Sequence, residues 1–162
     1  MNMKTDAERS KERQNELREN QRGKSEPFFY PELPDEKLSK ISNAGLAHMG
    51  DAVYELLVRS WLCTHGKLTN RDLHDACVGY VSARSQADAA ETIREHLSPE
   101  EFEIFKRGRN AHTHSVPKNA DTAQYHTATG LETLFGWLFL KGQIQRVSEL
   151  FRIIAEDKNN AD

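Results

Sequence analysis

From Asp35 onward, apolar residues recur at spacings of three and four, which is the pattern of amphipathic helices. Residues that commonly start helices punctuate this pattern: Asp35, Thr69, Ser82, Ser98 and Asn119. Ser98-Pro99-Glu100-Glu101 also has the form of a capping box. No stretch alternates as a strand does, and no hairpin turn dipeptide separates the apolar runs. The sequence therefore predicts an all-α fold of about seven helices.

The N-terminal segment lacks this pattern. Its first 25 residues include only four apolar ones, Met1, Met3, Ala7 and Leu17. Such a segment cannot bury enough apolar surface to offset the entropy lost on ordering. The chain has 162 residues, enough for one domain with a core. We expect a disordered tail over residues 1–27, one domain over residues 28–157 and a disordered end over residues 158–162.

Cysteine content and hydropathy indicate the cellular compartment in which the protein acts. Cys63 and Cys77 lie in helical apolar stretches without metal-ligand spacing, so we expect neither a disulfide nor a metal site from them. Apolar runs are only a few residues long, and the polar N-terminus has no signal-peptide core. We expect a cytoplasmic protein with no membrane partner.

Two acidic residues interrupt apolar helical sequence. Asp51 stands in Met49-Gly50-Asp51-Ala52-Val53-Tyr54, and Glu132 stands in Thr129-Gly130-Leu131-Glu132-Thr133-Leu134-Phe135-Gly136. Burying a carboxylate is costly unless it is paired or holds a cation. Two such carboxylates, far apart in sequence, suggest one shared site, most simply for a hard metal ion.

Each acidic residue also has a structural interpretation. The helix around Asp51 is apolar on both sides of a helical wheel, which favours a poorly solvated carboxylate, but Asp51 can equally belong to a solvated stripe of ion pairs. Glu132 lies at the edge of an apolar face, but Thr129-x-x-Glu132 has the form of a capping box, which would make Glu132 a helix-start residue. Spacing alone does not separate these alternatives.

The segment Lys106–Lys118, KRGRNAHTHSVPK, is basic although the chain has a formal net charge of −3. It contains four Lys or Arg, two His and no acid. A solvated basic loop is one interpretation. The other is an RNA-binding segment, because cations and amides contact phosphate and sugar. The candidate RNA-binding residues are Lys106, Arg107, Arg109, Asn110, Lys118 and Asn119.

A rival motif is the dipeptide His74-Asp75, with His48 or His65 upstream and Asp121 downstream. It loosely resembles helical phosphohydrolases that bind metal through a His-Asp pair. The dipeptide is common by chance, and its neighbours Leu73, Ala76 and Cys77 are typical of a core, so we do not favour this hypothesis.

Four ordered blocks stand out between about Leu38 and Phe151: Ala47–Glu55 (AHMGDAVYE), Lys106–Ala111 (KRGRNA), Val116–Asp121 (VPKNAD) and Thr129–Leu138 (TGLETLFGWL). In order and spacing, these blocks resemble the Mini-ribonuclease III family. The resemblance implies a helical ribonuclease III catalytic domain, active as a homodimer, that cleaves double-stranded RNA with Mg²⁺, for which Mn²⁺ can substitute. It also implies 5′-phosphate and 3′-hydroxyl ends, and maturation of the large-subunit (23S) ribosomal RNA precursor, presented by a ribosomal protein.

By this resemblance, Asp51 and Glu132 are the catalytic, metal-binding residues. The chain departs from larger ribonuclease III enzymes where Ala44 and Ala47 replace Glu and Thr129 replaces Asp. The competing hypothesis is therefore a non-catalytic RNA-binding or ribosome-assembly factor on the same fold. Both hypotheses predict RNA binding, but only the enzyme predicts new RNA ends that depend on metal.

Overall fold

The structure of this chain is a computed structural model that describes residues 31–66, 69–111 and 121–161. Seven α-helices, one short 3₁₀ helix and no strand are found among these residues, which confirms the predicted all-α fold. The α-helices are α1 (Asp35–Leu38), α2 (Asn43–Thr64), α3 (Asn70–Val81), α4 (Ala83–Ile93), α5 (Pro99–Arg109), α6 (Thr122–Leu140) and α7 (Ile144–Ala161). The predicted tail, residues 1–27, lies outside the described residues.

Side-chain caps fix the start of three helices where the sequence predicted them. Thr69, Ser82 and Ser98 accept hydrogen bonds from backbone N–H groups in the first turns of α3, α4 and α5. Glu101 completes the capping box of α5, because its carboxylate accepts a bond from the backbone N–H of Ser98. Local polar residues therefore determine where α3, α4 and α5 begin.

Other helix starts differ from the prediction. Asp35 is the first residue of α1 rather than its cap, and no side chain caps that helix. Ser42, which was not predicted, caps α2 by accepting a hydrogen bond from the backbone N–H of Gly45. Asn119 lies outside the described residues, and Asp121 caps α6.

Helix α6 is central to the fold. It packs against α2, α4, α5 and α7. Every residue of α6 from Ala128 to Leu138 is buried except Glu132, which is half-buried. Large apolar side chains that are almost fully buried in the core include Tyr54, Val58, Ile93, Leu131, Leu134, Phe135, Leu138 and Leu150. Glu132 is thus a charged residue in the middle of an otherwise buried stretch, an unusual position for a carboxylate.

Three smaller predictions can be compared with the structure. Helix α7 continues to Ala161, so residues 158–161 belong to this helix, where the sequence suggested a disordered end. Cys63 is exposed, Cys77 is buried and both are free thiols. Within the described ranges, no helix is long and apolar enough to cross a membrane.

Candidate active site

Helices α2 and α6 cross in direct backbone contact at two glycines. A Cβ atom added at Gly50 would lie 1.7 Å from the carbonyl oxygen of Glu132. A Cβ atom added at Gly136 would lie 2.0 Å from the carbonyl oxygen of Leu46. Any other residue at these positions would force the helices apart, because real Cβ atoms do not approach so closely. The crossing places Asp51, the neighbour of Gly50, beside the turn of α6 that carries Glu132.

The two candidate carboxylates interact at this crossing. Glu132 is half-buried, and its pKa rises to about 7, first because burial disfavours the charged form and second because Asp51 repels it. The amide of the buried Gln86 opposes this rise by favouring the ionised form. The structure therefore brings together the two carboxylates that the sequence proposed as partners.

The surroundings of Asp51 resemble the solvated stripe more than the poorly solvated site. Asp51 and His48 are exposed on α2, and Glu55 forms an ion pair with Arg59 one turn further along the same helix. The helical wheel was misleading here because the residues buried beside Asp51 lie on one side only. Within this chain the carboxylate of Asp51 is open to solvent.

The capping-box interpretation of Glu132 is wrong. Thr129 and Glu132 both lie well inside α6, which begins at Thr122 and is capped by Asp121. The hydroxyl of Thr129 donates to the carbonyl oxygen of Tyr125 in the preceding turn. Glu132 therefore satisfies no helix end, and its place on the buried helix needs another explanation.

A divalent cation fits the chemistry of this donor pair. Two carboxylates that repel each other, one of them half-buried, are relieved when a hard cation binds between them. The pair is small, since no group of three or more His, Cys, Asp or Glu able to hold a metal exists among the described residues. The His74-Asp75 hypothesis gains no support either, because both side chains are exposed and Asp75 lies 4.0 Å from Arg71.

The basic segment begins as helix rather than as the loop considered from sequence. Residues Lys106 to Arg109 form the last turn of α5, where cations are favoured by the helix dipole. A Cβ atom added at Gly108 would lie 2.2 Å from the hydroxyl oxygen of Thr133. This contact places the basic turn directly against the residue that follows Glu132 on α6.

The cations of this turn differ in their surroundings. Lys106 pairs with Glu103 at 2.6 Å and also lies over the ring of Phe102. Exposed Arg107 donates to the side-chain oxygen of Asn43, at 3.4 Å. Arg107 is thus the more accessible of these two cations, and it is linked to the start of α2.

The remaining candidates in this segment are only partly described. Arg109 donates from Nε to the side-chain oxygen of its neighbour Asn110 at 3.3 Å. Lys118 and Asn119 lie outside the described residues, as do both histidines of the segment. The structure therefore locates four of the six predicted RNA-binding residues, all at the C-terminal end of α5.

Sequence reasoning missed two polar residues near these groups. Gln86 is 2% exposed and faces Glu132 from α4. Asn43 accepts from Arg107 and donates to its backbone carbonyl oxygen at 3.3 Å, so it ties α2 to the basic turn. Gln86 had a signal in the sequence, because it lies at helical spacing within the apolar set Ala83, Ala87, Ala90 and Ile93. Asn43 had none.

Comparison with known proteins agrees with this arrangement. The model of the Ribonuclease III domain family matches residues 44–143. The chain is 41% identical to a Mini-ribonuclease 3 of Symbiobacterium thermophilum over 111 residues, 68% of this chain and 85% of that protein. It is 38% identical to a Mini-ribonuclease 3 of Kosmotoga olearia over 132 residues, 82% of this chain and 88% of that protein.

The fold is also similar to a crystal structure of a Fusobacterium nucleatum protein. That similarity has a TM-score of 0.67 at 25% identity and covers 75% of this chain and 98% of the other. The matched region contains both glycines of the crossing, both candidate carboxylates and the basic end of α5. The chain therefore belongs to the Mini-ribonuclease III family, whose members are endoribonucleases of the ribonuclease III type.

Proposed function

We propose that this endoribonuclease cleaves double-stranded RNA with a divalent metal ion held by Asp51 and Glu132. The observation that carries the proposal is the glycine crossing, which brings two mutually repelling carboxylates together. A protein gains no stability from such a pair unless a cation joins it. The basic end of α5, packed against α6 next to Glu132, supplies a place for the polyanionic substrate.

Asp51 and Glu132 would hold Mg²⁺, with Mn²⁺ able to substitute. When bound, such an ion neutralises charge on the scissile phosphate and lowers the pKa of the attacking water. Asp51 is exposed and therefore open to RNA from solvent, whereas Glu132 is half-buried on the central helix. Hydrolysis that leaves 5′-phosphate and 3′-hydroxyl ends then needs no Ser, Cys or His nucleophile.

We propose that the basic segment Lys106–Lys118 binds the RNA. A-form RNA is recognised mainly by its shape, through phosphates and 2′-hydroxyl groups. Lys106, Arg107, Arg109 and Asn110 lie at the end of α5, on the part of the chain next to Glu132. Lys118 and Asn119 extend the same proposal beyond the described residues.

A homodimer is proposed because α2 exposes apolar surface beside the carboxylates. Ala44, His48, Ala52 and Leu56 lie at helical spacing on one face, and Leu56 is 48% exposed. A two-fold axis at this face would place two sites on opposite strands of one duplex, giving staggered double cleavage.

The resemblance to Mini-ribonuclease III enzymes supports a more specific role. We propose that the substrate is the large-subunit (23S) ribosomal RNA precursor, that a ribosomal protein presents it, and that the reaction takes place in the cytoplasm. Incubation of precursor transcripts with and without ribosomal proteins, followed by mapping of the new RNA ends, tests this role.

Cleavage of a perfect RNA duplex by wild type and by Asp51→Asn, with Mg²⁺ and with EDTA, tests the enzyme proposal. Removal of the Asp51 charge should slow cleavage by about 10³-fold or more, because several kcal/mol of transition-state stabilisation are lost. RNA binding and the melting temperature should change little, since the substitution preserves volume. Full activity of the purified variant would contradict the role of Asp51.

The same experiment addresses the competing hypothesis of a non-catalytic ribosome-assembly factor, which the small number of metal-binding residues favours. Tight binding without cleavage, on both the duplex and a base-paired ribosomal RNA fragment, would support that factor.

The proposed RNA-binding role of the basic segment has its own test. Replacing Arg107 and Arg109 together by Ala should weaken RNA binding about tenfold and flatten its salt dependence. Unchanged binding would place the RNA site elsewhere.

A further inference from the structure

Gln86 is a buried polar side chain whose burial the fold does not explain. Four polar or charged residues are buried in the described part of the chain. Glu101 is paired with Arg146, and the hydroxyls of Thr129 and Thr133 donate to carbonyl oxygens one turn back. The Nε2 atom of Gln86 is buried but has no hydrogen bond of regular geometry to any described atom.

An amide in this position opposes folding. Gln86 is 2% exposed, and a buried N–H group without a good partner destabilises the folded state. The neighbouring buried positions of α4 carry Ala87, Ala89, Ala90 and Ile93, all apolar. An apolar side chain of the same length would fill the space without that cost, so packing alone does not account for a glutamine.

The packing of α4 indicates which group the amide lies near. α4 packs along α6, Gln86 lies in the first turn of α4, and its side-chain amide interacts with the carboxylate of Glu132, where it opposes the rise of that group's pKa. A carboxylate can only accept hydrogen bonds, so the amide contributes as a donor. Glu132 has no other hydrogen-bond or ion-pair donor in the described part of the chain, which leaves Gln86 as the group that orients it.

We propose that Gln86 is a positioning residue that holds the carboxylate of Glu132 toward Asp51, so that the pair binds a divalent cation. The inference rests on the proposed function of Asp51 and Glu132. The amide itself does not touch the RNA or the ion. It orients the carboxylate of Glu132 by hydrogen bonding, as residues that hydrogen-bond a metal ligand do in other metal sites.

Gln86→Met tests the proposal because Met has a similar length and no hydrogen-bonding group. Three quantities are compared with wild type: single-turnover cleavage of an RNA duplex against Mg²⁺ concentration, Mn²⁺ binding to the protein alone by electron paramagnetic resonance, and the melting temperature. We expect cleavage and Mn²⁺ affinity to fall by about 10-fold or more, while the melting temperature stays the same or rises. RNA affinity without metal should not change.

Ile93→Val provides the matched control, since Ile93 is a fully buried residue of the same helix. It should lower stability without changing Mn²⁺ affinity or the cleavage rate. If Gln86→Met behaves like this control, Gln86 only supports the fold and the proposal is wrong. If Gln86→Met does not fold, Gln86→Asn replaces it, because the shorter amide keeps polarity but cannot reach Glu132; the same losses are expected.

The Mn²⁺ measurement separates this inference from the proposed function. A wild-type protein that binds Mn²⁺ but does not cleave duplex RNA would refute the proposed reaction, and the Mn²⁺ affinity of Gln86→Met would still decide the role of Gln86. A wild-type protein that binds no Mn²⁺ would refute the positioning role.

Discussion

Glu101 and Glu132 both sit in tightly packed helices, but their surroundings have opposite effects on the negative charge. Glu101 is buried at the start of α5, where burial disfavours its charge. Arg146 donates to both of its oxygens, at 2.8 Å and 3.0 Å, and the backbone N–H of Ser98 donates at 2.8 Å. These bonds outweigh burial and hold the pKa of Glu101 below its usual value.

Glu132 lacks such partners. Its carboxylate forms no ion pair among the described residues, and its pKa rises to about 7 through burial and repulsion from Asp51. The fold thus places the cation Arg146 beside Glu101, whereas it places a second carboxylate, Asp51, beside Glu132. The comparison separates a carboxylate that the chain itself neutralises from one that it leaves without a cation, and this difference supports our proposal that Glu132 binds the metal ion.

The largest expected effect is on cleavage by Glu132→Gln. Loss of the charge should lower the cleavage rate by about 10³-fold or more and should weaken Mg²⁺ dependence, because a metal ligand is removed. The same change should stabilise the metal-free fold near neutral pH, because it removes a repelled and half-buried charge. Single-turnover cleavage and thermal melting in EDTA measure the two effects. An active or destabilised variant would contradict the comparison.

The second-largest expected effect is a loss of stability at the crossing of α2 and α6, which brings Asp51 close to Glu132. Gly50→Ala would place a Cβ atom 1.7 Å from the carbonyl oxygen of Glu132, so α2 and α6 must separate. We expect a loss of about 3 kcal/mol in the free energy of unfolding, together with reduced cleavage by the folded fraction.

Gly79→Ala is the matched control, because nothing lies within 4 Å of a Cβ atom added at that helical position. It should raise stability by roughly 0.5–1 kcal/mol and leave cleavage unchanged. Denaturant unfolding of both variants at one protein concentration measures the difference, and equal effects would show that the crossing tolerates a side chain.

The sequence predicted the local contact of Glu101 but not its contact with a distant helix. The capping box of Ser98 and Glu101 is local, so its four residues sufficed to predict it. The partner of Glu101 was not predictable, because Arg146 comes from α7 and the contact depends on tertiary packing. Local patterns alone could not have paired Glu101 with Arg146.

The candidate site shows the same limit. Asp51 and Glu132 were singled out as charges in apolar helices, and the resemblance strengthened that choice. Their proximity depends on Gly50 and Gly136, and no periodicity shows that two distant glycines meet. The basic end of α5 is helical rather than a loop, and the missing side chain of Gly108 makes room there for Thr133. Sequence thus predicted the residue types of the site, but the packing between helices determined their arrangement.

A third, smaller effect is expected for Glu101→Gln. The change keeps the shape of the side chain but removes the charge that Arg146 and Ser98 bond, so stability near neutral pH should fall by about 2 kcal/mol. Cleavage per folded molecule should be unaffected, because the partners of Glu101 are Ser98 and Arg146, neither of which belongs to the proposed site. Melting and cleavage assays on the same samples test this, and a specific loss of activity would give Glu101 a role that we do not assign.

The smallest and most discriminating effect is the pH dependence of the stability changes caused by Glu132→Gln and Glu101→Gln. The folded-state pKa of Glu132, about 7, exceeds the ordinary glutamate value of 4.5, so between these values the folded chain holds a proton that the unfolded chain releases. Wild type therefore loses stability as pH rises from 4.5 to 7, and the advantage of Glu132→Gln should grow over that window to about 1–2 kcal/mol.

For Glu101 the sign is reversed. Because its folded-state pKa lies below the unfolded value, its contribution to stability is present above the unfolded pKa and is lost as pH falls through the folded pKa. The defect of Glu101→Gln should therefore be full at pH 7 and shrink in acid, whereas the advantage of Glu132→Gln should vanish there. Urea unfolding of wild type and both variants in EDTA, from pH 8 down to about pH 3, measures both curves. Added Mg²⁺ should reduce the advantage of Glu132→Gln by stabilising the ionised wild type, because we propose that Glu132 binds this cation. It should leave the Glu101→Gln defect unchanged, because Arg146 of the same chain already pairs with Glu101.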